Sequence, residues 1–355
     1  MISYQKIKDF YCGRNVLITG HNGFKGTWLA KVLNQWGANV VGISLPNQEH
    51  EILYKASGLK NQVDEYLLDI RKKETYTSVF SSNKFDVIFH LAAQPLVRES
   101  YLDPYTTYET NVVGTLNLLE ALRNCTDKAK SVVIVTTDKV YLNREWLWGY
   151  RENEALNGYD PYSNSKSCAD LISQTYYNCF LKKAGLAVST VRAGNVIGGG
   201  DRSRDRIIPD CVRAATKREE IVVRNPLSIR PYQHVLEPIS AYLLLGFAQY
   251  SQQKLADSYN IGPEEQDCVN TGELVTQFCK SWGNGLSWRS SGELSQLHEA
   301  NFLKLDSSKI KAKLVWRPKW NVREAIKYTV DWEKGFLLSP DMSELMTSQI
   351  NNYFE

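Results

Sequence analysis

At 355 residues, with 43% hydrophobic and 23% charged side chains, the chain is long enough for two domains and apolar enough to bury a core, which excludes a disordered protein. Its 42 Lys+Arg against 39 Asp+Glu leave a formal charge of +3, too small and too dispersed for an electrostatic nucleic-acid binder. Seven scattered cysteines without a C-x-x-C pair, five dispersed histidines and no apolar run near the roughly 20 residues of a membrane span predict a reduced, cytoplasmic protein with no metal site.

In chain order, the polar amino terminus MISYQKIKDFYCGRNV lacks the apolar core of a signal peptide. NVLIT (Asn15–Thr19) reads as a strand, and a helix follows through Leu29, Val32, Leu33 and Trp36. NVVGIS (Asn39–Ser44), EYLLD (Glu65–Asp69), DVIFH (Asp86–His90), SVVIVT (Ser131–Thr136) and AVSTV (Ala187–Val191) are further strands, with a helix over Tyr105–Arg123. Apolar strands alternating with helices predict an α/β fold with a doubly wound parallel (Rossmann) sheet. After residue 192 the pattern shifts. The polar DRSRDR follows Gly198, Gly199 and Gly200. Shorter segments come next: strands at Ile221–Arg224, Tyr259–Gly262 and Phe302–Asp306, and helices at Ala241–Tyr250 and Thr271–Trp282. The expected division is a dinucleotide-binding domain over 1–192 and a smaller mixed α/β substrate domain over 193–355, with some later segments rejoining the first.

Gly20, Gly23 and Gly26 in TGHNGFKG follow the first strand and open the first long helix, where glycine lets the backbone approach a pyrophosphate. Asn22 and Phe24 belong to the same loop. The second strand ends in Ser44-Leu45 with neither acid nor base, which favours NAD over NADP, whereas Lys25 tilts the other way. Asp69 and Ile70 are candidates for the adenine, Asp69 alternatively for a helix cap. Ala92 and Ala93 leave room for the cofactor, with His90 and Asn111 structural.

Tyr162 and Lys166 in YSNSK stand at i and i+4 on one helix face. A tyrosine with an ordinary pKa near 10 abstracts a proton at neutral pH only beside a positive charge, which Lys166 can supply. TTDKVY places Thr137, Asp138 and Lys139 at the end of the fifth strand. Trp146 and Trp148 in REWLWGY either line a sugar pocket or anchor their loop.

TGHNGFKG, HLAAQP, TTDKVY and YSNSK together resemble the extended short-chain dehydrogenase/reductase superfamily. NREWLWGYRENEALNGYDPYSNSK, VRAGNVIGGGD, IRPYQHVLEP and HEANFLKLD are similar to the CDP-glucose branch of its sugar-nucleotide 4,6-dehydratases. The resemblance spans nearly the whole chain. It implies a lyase whose bound, recycled NAD oxidises C4 of CDP-glucose and reduces C6 after loss of water, supplying deoxy and dideoxy sugars of the kind used in lipopolysaccharide O-antigens. Tyr162 would take the C4 hydroxyl proton and Thr137 would hydrogen-bond that oxygen. Asp138 would protonate the departing C6 hydroxyl. Lys139 would take the C5 proton or stabilise the enolate. Asn195 and Arg230 would grip the diphosphate, with Arg206, Arg224, Asn225 and His298 as further substrate contacts and Glu299 beside them. A homo-oligomer, dimer or tetramer, is implied through the helices near Tyr105–Arg123 and Pro161–Ala184. A sugar-nucleotide 4-epimerase or a non-catalytic nucleotide-binding scaffold are the rivals. The Asp138-Lys139 pair argues against the first, and the intact Tyr162 and Lys166 against the second.

Overall fold

Strict alternation of side chains along each strand sorts the apolar runs of the first half onto two faces of one sheet. In the computed structural model, which describes residues 3–46, 51–125, 127, 129–292 and 302–355, the strands are β1 (Asn15–Thr19), β2 (Asn39–Ser44), β3 (Asp64–Leu67), β4 (Val87–His90), β5 (Ser131–Val135), β6 (Ala187–Ala193) and β7 (Ser258–Ile261). Their order is β7-β6-β5-β4-β1-β2-β3, every pair parallel. Val16, Ile18, Val87, Phe89, Val133 and Val135 point to one face, where they pack with helices α1 (Tyr4–Tyr11), α2 (Phe24–Gln35), α6 (Leu236–Ser251) and α9 (Ser343–Phe354). Leu17, Ile88, Val132 and Ile134 point to the other, against the helix Lys73–Ser82 and α3 (Gly114–Asn124). The order reverses between β1 and β4, the place where open α/β sheets bind ligands.

The third strand stops at Leu67, so Asp69 and Ile70 lie in the turn beyond it rather than on a strand. The predicted helix over Tyr105–Arg123 is a helical run from Pro104 to Asn124 with a π-turn at Glu109–Val113. Helix α4 (Pro161–Tyr176) opens on Pro161 and is capped by Asp160, whose carboxylate accepts the Ser163 N–H at 2.9 Å.

The chain leaves the sheet after β6 and builds a second core from helices α5 (Ile207–Lys217), α7 (Thr271–Trp282) and α8 (Val322–Leu338). Ile208, Val212, Leu274, Phe278, Ala325 and Ile326 meet there. Short strand pairs flank it: Ile221–Val223 runs parallel to Trp288–Ser290, and Ile229–Arg230 antiparallel to Val269–Asn270. Between these segments α6 and β7 return to the first core and sheet. Phe302–Asp306 does not form the expected strand. Single bridges join Phe302 to Ile229 and Leu305 to Tyr150, and Leu305 and Asp306 lie so near Gly149 that a Cβ there would stand 2.7 Å from the Asp306 nitrogen. The segment is an edge laid along the Tyr141–Tyr150 loop, with too few paired backbone groups to make a ladder.

Candidate active site

The turn after β1 is shaped by close approach. Gly20 has φ +77°, and a Cβ on it would stand 2.8 Å from the Ala92 nitrogen. A Cβ on Gly26 would collide with the Gly20 carbonyl oxygen. Gly23 caps α2 with no side chain over the helix end, which leaves the first-turn N–H groups to face an anion. Asn22 ties the loop to β2 by donating to the Leu45 carbonyl at 2.9 Å, and Phe24 is buried. A dinucleotide pyrophosphate suits this turn, and side chains at Gly20 and Gly26 would break its tight packing on Ala92 and on the Gly20 carbonyl.

At the end of β2, Ser44 Oγ meets buried His21 Nδ1 at 2.9 Å, and His21 Nε2 lies 3.5 Å from Glu65. Burial lowers the His21 pKa despite Glu65. Lys25 does not serve this end of the sheet. It lines the cleft described below, where its electrostatic partners are Arg206, Asp138 and Asp201, so its side chain lends no support to a 2′-phosphate at β2. Asp69 is held by Arg71 at 2.7 Å, and that hydrogen bond lowers its carboxyl pKa. It also accepts the Arg71 N–H at 2.9 Å, the local turn contact of an Asx residue. Ile70 is buried, its side chain so close to Gly114 that a Cβ there would stand 2.6 Å from it. Ala92 donates its N–H to Thr19 Oγ1 at 3.2 Å, and Ala93 follows it, half-buried, at the lip of β4. His90 bridges Thr19 and Thr115 at 2.7 and 3.1 Å, and burial holds it neutral, its pKa pushed down to about 3. Asn111 binds both the N–H and the carbonyl of Gln94. Both are structural, as expected.

Thr137, Asp138 and Lys139 start a single 3-10 turn at the end of β5. Thr137 Oγ1 donates to Asp138 Oδ1 at 3.0 Å, and Thr137 also stands near enough to Tyr162 to pull the phenol's pKa down. The other carboxylate oxygen, Asp138 Oδ2, is buried with no hydrogen-bond partner among the described residues, 3.2 Å from where a Cβ on Gly194 would be. Burial raises the Asp138 pKa, and Lys139, Thr137, Arg230 and Lys25 pull it partly back. Such an acid keeps its proton to a higher pH than an exposed aspartate. Burial also pushes Tyr162 up to about 12, against nearby Thr137 and the charge of Arg206. Lys166, one turn on, donates to the Val135 carbonyl at 3.1 Å, and burial lowers it to about 7.

A buried ion pair braces this corner from behind. Arg192 on β6 donates to both oxygens of Asp170 on α4 at 2.8 and 2.9 Å, and Thr136 Oγ1 donates to the same carboxylate at 3.0 Å. The residue before Thr137 and the helix that carries Tyr162 and Lys166 are thereby fixed to one another.

Thr137, Asp138, Lys139 and Tyr162 open onto a cleft of about 580 Å³ between the two cores. Asn195, Arg206, Arg224, Asn225 and Arg230 line the same cleft. Arg206 holds Asp201 at 3.2 Å, Arg224 holds Asp205 at 3.1 Å, and Arg230 donates to the Ile229 carbonyl at 2.9 Å. His298 and Glu299 lie outside the described residues. Trp146 and Trp148 do not line the cleft: Trp146 packs on Tyr150 at 5.3 Å, and Trp148 is exposed. Several cleft residues escaped the sequence reading as substrate-side groups, Lys25 and Arg98 among them. Lys25 carried a signal in its place behind the glycine turn; Arg98, on the helix Val97–Leu102 and 3.4 Å from Asp205, carried none. Among the described residues no cluster of three or more His, Cys, Asp or Glu is placed to hold a metal ion, and no helix is long and apolar enough to cross a membrane.

A parallel sheet with a glycine turn at its switch point, and a Tyr-x-x-x-Lys helix beside a threonine at the end of β5, define the short-chain dehydrogenase/reductase class. The family model for GDP-mannose 4,6 dehydratase matches residues 17–329, and the chain belongs to that dehydratase family. It is 42% identical over 352 residues to CDP-glucose 4,6-dehydratase of Salmonella typhimurium, covering 98% of each chain. Among solved structures it is similar to dTDP-glucose 4,6-dehydratase of Bacillus anthracis in complex with NAD (TM-score 0.75, 22% identity, 91% of this chain and 97% of that one). It also resembles UDP-glucuronic acid 4-epimerase of Bacillus cereus in complex with UDP-glucuronic acid and NAD (TM-score 0.78, 20% identity, 91% and 99%).

Proposed function

We propose that the protein is a hydro-lyase that converts CDP-D-glucose to CDP-4-keto-6-deoxy-D-glucose with a bound NAD that ends each cycle unchanged. One observation carries the reading beyond fold: a buried acid, Asp138, hydrogen-bonded to Thr137 next to Tyr162. An oxidation site alone needs Tyr162, Thr137 and Lys166; a dehydration also needs a proton donor for the departing hydroxyl, and Asp138 supplies one. The near-full-length likeness to a CDP-glucose 4,6-dehydratase supports the same substrate here.

Gly20, Asn22, Gly23, Phe24 and Gly26, with Asp69 and Ile70 toward the adenine and Ala92 and Ala93 leaving room, would hold NAD, which would supply hydride transfer from C4 and back to C6. Tyr162 takes the C4 hydroxyl proton while Thr137 orients that oxygen, and Lys166 with the cofactor's positive ring lowers the tyrosine from its raised value. Asp138, neutral, gives its proton to the C6 hydroxyl as water departs. Lys139, on the same turn, takes the C5 proton and returns it once C6 is reduced. Asn195 and Arg230 hold the diphosphate, for which the planar guanidinium fork is suited, with Arg206, Arg224, Asn225 and His298 toward the nucleotide. Residues 1–192 thus serve mainly the dinucleotide and 193–355 the nucleotide sugar. Seven unpaired cysteines support placing the protein in the reducing cytoplasm.

The test is to mix the purified protein separately with CDP-glucose, dTDP-glucose, UDP-glucose and GDP-mannose and weigh the products, without added cofactor. Loss of one water from CDP-glucose is the expected result. Inversion at C4 with unchanged mass would establish the epimerase instead.

A further inference from the structure

Lys25 is the second residue of α2, directly behind the glycine turn, and its side chain enters the same cleft as Asp138, Tyr162, Asn195 and Arg206. The neighbouring arginines have acidic partners: Arg98 and Arg224 share Asp205, and Arg206 holds Asp201. The Lys25 amine makes no hydrogen bond or ion pair among the described residues. Asp201 is engaged by Arg206 and by both the N–H and hydroxyl of Ser203, and burial favours the neutral form of Asp138. Both carboxylates act on the lysine through space and favour its charged form, yet neither forms a direct ion pair with it; burial and the charge of Arg206 outweigh them and lower the Lys25 pKa to about 8. Directly before it is the start of α2, where Gly23 offers the first-turn N–H groups no side-chain cap.

We propose that Lys25 is a diphosphate-binding residue at the seam of the two ligand sites, its ammonium completing an anion site with the amino-terminal turn of α2 and Arg206. The inference rests on the dinucleotide and nucleotide-sugar reading above, which provides two sources of that group: the pyrophosphate of NAD and the diphosphate of CDP-glucose. A lysine here ties the glycine turn to the substrate cleft by charge, which a hydrophobic residue at the same place cannot do.

Lys25→Met and Lys25→Arg test it, with NAD and CDP titrated separately against wild type by calorimetry and with KM and kcat measured for CDP-glucose. Lys25→Met should weaken at least one ligand by about ten-fold or more, the size of one charge-assisted contact to a phosphate, and Lys25→Arg should recover most of that affinity. A loss confined to NAD assigns the residue to the cofactor diphosphate; a loss confined to CDP, with KM raised in step, assigns it to the substrate. Unchanged affinity for both ligands in Lys25→Met, whatever happens to kcat, overturns the proposal. Wild-type protein that binds neither NAD nor CDP overturns the functional reading as well, so the two failures are distinguishable.

Discussion

Asp138 sits at 1% exposure with one oxygen bound to Thr137 and the other without a partner among the described residues. That asymmetry suits an acid that is oriented by one contact and delivers its proton from the opposite side. Asp138→Asn keeps the shape and the Thr137 contact but has no acidic proton. It should cut turnover by about 10²–10⁴-fold, the usual weight of a general acid. The step before elimination should survive, so mixing the variant with CDP-glucose should leave enzyme-bound NADH visible by absorbance. A variant that turns over normally would remove Asp138 from the reaction. At this scale the sequence was informative where chemistry depends on residue type and spacing. Thr137, Asp138, Tyr162 and Lys166 fall together because the end of β5 and the first turns of α4 are adjacent in a parallel sheet. Lys25 and Arg98 were not assigned to the substrate cleft, because their places in it depend on how the second core closes over the first, which no local pattern records.

Among the elements, α6 is the strongest tie between the chain's ends and its sheet. Glu237, fully buried at the start of α6, accepts the N–H groups of Lys319 and Trp320 at 3.1 and 2.7 Å and the Tyr353 hydroxyl at 2.7 Å. Burial, only partly offset by these bonds, pushes its carboxyl from an ordinary value of 4.5 up to about 7. Between those values the folded state keeps a proton that the unfolded chain has released. Stability therefore falls as pH rises from about 4.5 to about 7, by up to roughly 3 kcal/mol. Glu237→Gln retains an acceptor for the N–H groups and removes the titration. Urea midpoints at about pH 5 and pH 8 should differ less for the variant than for wild type, and equal differences would contradict the assignment. The apolar strands were legible from sequence because burial on both faces leaves continuous hydrophobic runs. Helices α5, α8 and α9 were not assigned from the sequence, although each buries an apolar stripe at helical spacing: Ile208, Val212 and Ala215 on α5, Val322, Ala325, Ile326 and Val330 on α8, and Met346, Ile350 and Tyr353 on α9. FLKLD at Phe302–Asp306 alternates apolar and polar side chains, yet a strand needs a partner along its length, and only isolated bridges are available there among the described residues.

For the whole molecule, the two cores meet over the cleft, and the sheet's opposite flank carries apolar side chains without cover. Tyr105, Val113, Leu171 and Phe180 are exposed on the helical run from Pro104 to Asn124 and on α4 with its π-helical extension. We propose that these helices pair with their counterparts in a second copy, burying the exposed residues in a four-helix interface. Light scattering should then give two or four times 40.5 kDa, a dimer or a tetramer, and a mass of one chain at micromolar concentration would refute the pairing. The central claim is that hydride leaves C4 and returns to C6 of the same sugar in the cleft. The most direct measurement uses CDP-glucose carrying deuterium at C4, incubated with the protein as purified, with the product examined by mass and NMR. The account predicts a 4-keto-6-deoxy sugar, lighter by one water, with the deuterium on C6. Deuterium found still on C4 of an inverted sugar, or lost to exchangeable cofactor in solution, would contradict it.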